Sequence, residues 1–178
     1  MKTLTDHLAH YAAYHRDARN IATHFVGIPM IVVSIGILLA RPSLIVAGVP
    51  LAPATLAVVL AALFYLRLDH RFGLVMAALF VGLLWLAHGV AALPTAIWLG
   101  LGIGLFVVGW ILQFVGHYFE GRKPAFVDDL SGFIVGPLFV VVEAAFLLGL
   151  RPGLRQAIES RVGPVRRGTA IDPARQGH

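Results

Sequence analysis

Cysteine is absent from the 178 residues, which removes disulfides, thiolate metal sites and cysteine nucleophiles. Charge is scarce: 13% of residues are Asp, Glu, Lys or Arg, against 58% hydrophobic. That balance excludes an ordinary soluble domain. Between residues 72 and 119 no Asp, Glu, Lys or Arg occurs, a run long enough for two membrane crossings at ~20 residues each. Residues 1–20 are polar and lack the apolar run of a cleavable signal peptide, so insertion is expected to rely on the first span. The formal net charge of +5 reads as cationic anchoring at span ends and in the tail, and no nucleic-acid partner is expected.

What remains is a chain of apolar segments. Leu4, Leu8, Tyr11 and Tyr14 recur at helical spacing, which predicts an amphipathic, partly interfacial helix over residues 1–20. Spans are predicted near residues 21–40, 50–66, 72–92 and 95–119, with Pro53 suited to a helix start and Pro94 to a turn. Gly100, Gly102, Gly104 and Gly109 would permit close helix contact in the fourth. A last apolar segment, 130–150, contains Pro137 and Glu143 and is expected either to cross or to be broken and re-entrant. The expected fold is an all-α polytopic membrane helical bundle of four to five spans with an N-terminal interfacial helix. Residues 1–150 form one membrane-embedded domain, followed by a basic, partly disordered tail over 151–178.

This topology sorts the polar residues. With four crossings, the N-terminal region and the loops at 67–71 and 120–129 share one face, so His15, His24, Asp69, His70, His117 and Glu120 fall together. If the last segment crosses fully, Lys and Arg divide seven and seven. If it returns, the division is thirteen to one, with Arg41 alone opposite. The polar face is expected to be cytoplasmic.

Ionisable groups at membrane depth are costly and usually functional. Gln113, His117 and Glu120, at offsets of four and seven, share one helical stripe. Imidazole plus carboxylate with open positions suits a non-haem iron; the bland alternative is an interfacial helix end meeting water. Asn20 and His24 lie one turn apart. His15 and His24 are nine apart and would face opposite sides of an unbroken helix, so they converge only if the chain bends near 16–18 or a second metal is present. Arg16, Arg19, Arg122 and Lys123 add positive charge at the same face, where they serve as anchors or attract a carboxylate. Ligand type alone does not separate iron from zinc.

The stretch from Gly109 to His117, followed by Phe119–Glu120 and Lys123–Pro124–Ala125, together with Tyr14–His15–Arg16, Asn20, His24, Pro29 and Asp128–Asp129–Leu130, resembles the signature of a small membrane family. These are Fe(II)-dependent 2-hydroxy fatty acid dioxygenases of the yeast phytosphingosine-breakdown type. The resemblance runs nearly to residue 150. It implies a non-haem iron enzyme of fatty-acid α-oxidation that converts a 2-hydroxy fatty acid to one a carbon shorter using O2. It further implies His15, His24 and His117, with Glu120, as Fe(II) ligands. Arg16, Asn20, Gln113 and Lys123 would contact substrate. The implied setting is a bacterial inner membrane or an endoplasmic-reticulum-type membrane, with membrane lipid around the bundle. A two-iron desaturase needs clustered histidine boxes, and no two histidines are adjacent here. A non-catalytic lipid-binding or transport protein is the other alternative; transport sites lie at the midplane, whereas these residues gather at one face.

Overall fold

The computed structural model of the chain describes residues 2–42, 44–46, 49–122 and 131–167. Among these are α1 (Leu4–Ala12), α2 (Ala18–Ala40), α3 (Pro53–Leu68), α4 (His70–Ala91), α5 (Thr95–Glu120), α6 (Gly132–Leu147) and α7 (Pro152–Val162). A short antiparallel hairpin, β1 (Leu44–Val46) and β2 (Val49–Leu51), joins α2 to α3. The helices α2, α4 and α5 are long and apolar enough to cross a membrane; α3 is apolar but has 16 residues. Trp85, Val81 and Leu74 stand exposed on α4, as lipid-facing side chains do. The chain is an all-α membrane bundle.

Local chemistry sets the element ends. Pro53 opens α3, where its missing N–H costs nothing. The Asp69 carboxylate accepts the Arg71 and Phe72 N–H groups, ending α3 and capping α4 in a single residue. Gly121, at φ 69°, closes α5 in the left-handed conformation. The expected N-terminal helix is in fact two: α1 stops at Ala12 and α2 starts after Asp17, whose side chain accepts the Arg19 N–H at 2.8 Å.

The central helix is α2, packed against α3, α4, α5 and α6. Its closest neighbour is α5, along a stripe of glycines seven residues apart. A methyl on Gly102 would stand 2.5 Å from Leu38 Cδ2, one on Gly109 2.9 Å from the Gly27 carbonyl, and one on Gly116 would overlap Thr23 Oγ1. Such spacing lets two backbones touch. Gly100 and Gly104, also expected at a helix contact, face open space.

The last apolar segment turns back. Near its start, the Ile134 carbonyl accepts the Tyr65 hydroxyl at 2.6 Å, close to the end of α3. Past its end, Arg151 Nη2 reaches Asp69 Oδ2 at 2.7 Å, in the α3–α4 turn. Both ends of α6 therefore belong to the same half of the bundle. Pro137 lies inside α6, and the chain bends 116° between α6 and α7, at Arg151 with φ 55°. Within the segment expected as the basic tail, residues 152–162 form α7, which packs on the bundle. Ile158 of α7 is buried with Leu8 and Tyr11 of α1 and with Phe139 and Val142 of α6, and Arg161 pairs with Asp6 at 2.7 Å. At the opposite end Ile37, Ala40, Ala54 and Ala87 form a smaller core, and the Arg41 guanidinium lies 4.7 Å over the Trp98 ring.

Gly109→Leu is expected to cost about 1–3 kcal/mol by overpacking the α2–α5 seam, read as a lower Tm of the detergent-solubilised protein. Gly104→Leu, on the open side of the same helix, leaves the Tm unchanged.

Candidate metal centre

The centre forms where the first two helices fail to join. Tyr14 and His15 finish α1 with N–H bonds to the Tyr11 and Ala12 carbonyls, and Asp17 restarts the chain. The elbow turns His15 onto His24, Nε2 to Nε2, at 3.0 Å. Each ring is tethered from behind. His15 Nδ1 donates to the Tyr11 carbonyl at 2.7 Å and His24 Nδ1 to the Asn20 carbonyl at 2.9 Å. Since a carbonyl only accepts, both Nδ1 atoms are assigned the proton and both Nε2 atoms face each other as bare lone pairs.

The last turn of α5 brings in His117, with ring centroids 4.9 Å from His15 and 5.1 Å from His24. One nitrogen of each imidazole lies within 4.8 Å of the others, and all three rings are buried. His117 Nδ1 has no hydrogen-bond partner. Burial, and then the neighbouring His24, hold His15 well below the ordinary imidazole value, so it stays neutral. Bare nitrogens facing inward in an apolar site call for a cation between them. Three neutral imidazoles fit a divalent transition metal, and three protein ligands leave positions free for a substrate.

Glu120, expected as a ligand, has another task. Its Oε2 accepts the Arg16 N–H at 2.9 Å, the Asp17 N–H at 2.8 Å and Asn20 Nδ2 at 3.0 Å; its Oε1 accepts Arg166 Nη2 at 2.6 Å. The carboxylate sits on the N-terminus of α2, where backbone N–H groups otherwise lack partners. It clamps the elbow. Arg16, expected at the substrate, is turned away as well. Its Nε donates to the Ala12 and His15 carbonyls, its Nη1 to Gly163, and Nη2 lies 3.8 Å from Glu143. Asn20 gives Nδ2 to Tyr14 and Glu120, leaving Oδ1 buried and unpartnered. Asp69 is occupied by α4 and Arg151, and His70 is exposed. Lys123 lies outside the described residues.

Two contributors escaped the sequence reading. Tyr11 stacks flat on His15, centroids 4.2 Å apart and planes 8° apart, with Phe139 closing on both. Its position four residues before His15 was the available signal, because the i−4 carbonyl is what a helix-end imidazole can reach. Residues 163–167 strap the elbow from outside: the Arg166 N–H donates to the Arg16 carbonyl at 2.7 Å, and the Ala18 N–H donates to the Arg166 carbonyl at 3.0 Å.

Inside the elbow a cavity of about 110 Å³ opens against His24 and His117, walled by Tyr11, Ile28, Ile31, Trp110 and Phe133. Gln113 reaches the same cavity, and its Nε2 is buried without a partner. The site thus has polar atoms at its head and hydrocarbon behind.

Residues 1–148 match the profile described as 2-hydroxy-palmitic acid dioxygenase Mpo1-like. The chain belongs to the Mpo1-like family. It is 32% identical over 160 residues to the 2-hydroxy-palmitic acid dioxygenase MPO1 of Saccharomyces cerevisiae, covering 88% of this chain and 87% of that one. No solved structure matches. In this Mpo1-like chain the three histidines and Glu120 fall inside the profile match, while the strap at 163–167 lies past its end.

Glu120→Gln puts an amide donor among four donors. Loss of these charge-assisted bonds is expected to cost about 1.5–3 kcal/mol or more. The Tm should fall in metal-free protein as much as in loaded protein, because the clamp needs no ion. An apo protein that keeps its Tm would return Glu120 to the ligand set.

Proposed function

We propose that this membrane protein is a non-haem Fe(II) dioxygenase of fatty-acid α-oxidation, taking a 2-hydroxy fatty acid and O2 to a fatty acid one carbon shorter. The observation that carries this reading is the group of three buried imidazoles at the head of an apolar cavity. The activity named for the yeast relative supports it. His15, His24 and His117 would hold the ion. Fe(II) there supplies open coordination positions and the electron-transfer chemistry that O2 needs.

The chain's own residues do the rest. Three neutral imidazoles leave the charge of a divalent ion uncompensated in an apolar site, an expensive state unless an anion joins it. The carboxylate of a 2-hydroxy acid is such an anion, and its adjacent hydroxyl offers a second oxygen for chelation. Gln113 Nε2, without a protein partner, is free to donate to a substrate oxygen. Burial pushes the Tyr11 phenol above the ordinary tyrosine value, so it stays protonated at the cavity wall. Glu120 and the residues it holds keep the imidazoles aimed. Overall the C1–C2 bond breaks, C1 leaves as CO2, C2 is oxidised from the alcohol to the carboxylic acid level, and O2 takes up the four electrons, one oxygen entering the new carboxyl group and the other leaving as water. No separate keto-acid is needed as electron source.

The site face is proposed to be cytoplasmic. Among the described Lys and Arg residues, Arg41 alone lies at the far end of the bundle, and the positive-inside bias then points one way.

Protein purified anaerobically is expected to carry iron in stoichiometric amount and to consume O2 with a 2-hydroxy fatty acid. His117→Ala should lose both. A folded, metal-free protein, as a purely lipid-binding chain would be, or iron-loaded protein that leaves O2 untouched, would overturn the reading. Gln113→Leu removes one donor to a charged group and is expected to raise KM about tenfold or more while kcat changes less.

A further inference from the structure

The cavity beside the imidazoles does not end there. Its walls Val32, Ile35, Phe133 and Pro137 are also walls of a second apolar cavity, of about 260 Å³, on the α3–α4 side of α2. That cavity ends against Leu39, Ala54, Ala57 and Leu83. Both follow one stripe of α2, with His24, Ile28, Val32, Ile35 and Leu39 recurring every three or four residues. Polar groups gather at one end only. His24, His117 and the unpartnered Gln113 stand at the head, whereas the Tyr65 hydroxyl on the second wall is already given to Ile134.

From His24 to Leu39 the helix rises ~22 Å at ~1.5 Å per residue. An extended saturated chain, with bonds of ~1.5 Å and angles near ~111°, advances ~1.25 Å per carbon, so the stripe matches about 16 to 18 carbons. An apolar path that is polar at one end and this long fits a single unbranched acyl chain. Ile35, Ala57 and Phe133 along it are exposed, so an acyl chain would enter sideways from the lipid, and the polar groups at one end only select that amphiphile as the occupant.

We propose that the two cavities form one acyl-chain channel along α2, carboxyl end at the imidazoles and methyl end at Ala54, Ala57 and Leu83, and that these far-end side chains set the longest chain accepted. The proposal rests on the reading of the site as one for 2-hydroxy fatty acids. Val32, Ile35, Phe133 and Pro137, shared by both cavities, mark the place where a long chain would pass from one to the other.

Binding to metal-free, detergent-solubilised protein tests it without turnover. Trp110 on the first cavity's wall serves as a fluorescence reporter once Trp85 and Trp98 are replaced by Phe. A series of 2-hydroxy fatty acids of about ten to about twenty carbons is titrated, and O2 uptake by iron-loaded protein is followed in parallel. Ala57→Phe fills the far end. It is expected to weaken binding of chains of about sixteen carbons or more by about tenfold, equivalent to ~1.4 kcal/mol, and to leave chains of about ten carbons within about twofold. Leu83→Ala should shift the preference the other way, which guards against a plugged variant that merely folds badly. Equal losses at every length, or no change in either variant, would overturn the channel. O2 uptake with no length shift would retain the oxygenase and discard the channel; a length shift in binding without O2 uptake would do the reverse.

Discussion

Two imidazole nitrogens assigned as bare stand 3.0 Å apart, an arrangement that repels itself. The surrounding structure is what keeps them there. Carbonyls of Tyr11 and Asn20 hold each ring from behind, and the Glu120 carboxylate gathers the Arg16 and Asp17 N–H groups so that the chain must turn between them. Bonds to an ionised acceptor are stronger than neutral ones, which gives the clamp leverage over the repulsion. A cation in the gap would relieve a tension built beforehand, in a site whose imidazoles are already held together.

Depth and polarity are matched in the same plan. The glycine seam brings α5 close enough to α2 for His117 to meet His24. The returning α6 closes the site face with Phe139 against His15 and leaves Phe133 at the deeper cavity. The resulting surface is polar at the imidazoles and apolar behind them, the polarity order that the proposed substrate would match.

Much of this was legible in the residues. The run from 72 to 119 without an acid or base, the cut at Pro94 and the stripe through Gln113, His117 and Glu120 follow from spacing alone, because helix periodicity and membrane cost act locally. Topology placed the histidines on one face by counting crossings. The rest depended on long-range partners. The elbow at 13–17 contains no proline or glycine; it exists because Glu120, some hundred residues away, supplies an acceptor to N–H groups that a continuous helix would have used. A carboxylate three residues after a histidine looks like a ligand whichever way it points, so the different task of Glu120 was invisible. Pro137 looked like the break in the last segment but sits inside α6, and the bend is made at Arg151, where an ion pair with Asp69 secures it. The seating of α7 follows from Ile158 and Arg161 meeting α1, contacts that basic composition did not announce.

The strap at Arg166 adds a matter of timing. It hydrogen-bonds on both sides of the bend, to Arg16 and to Ala18, and its guanidinium covers the far oxygen of Glu120. The bend between the first two helices can therefore be tied on this side only once residue 166 has been made. Closure of the centre on this side is in that sense a late event of biogenesis, and an ion arriving earlier would meet an elbow that the strap does not yet cover.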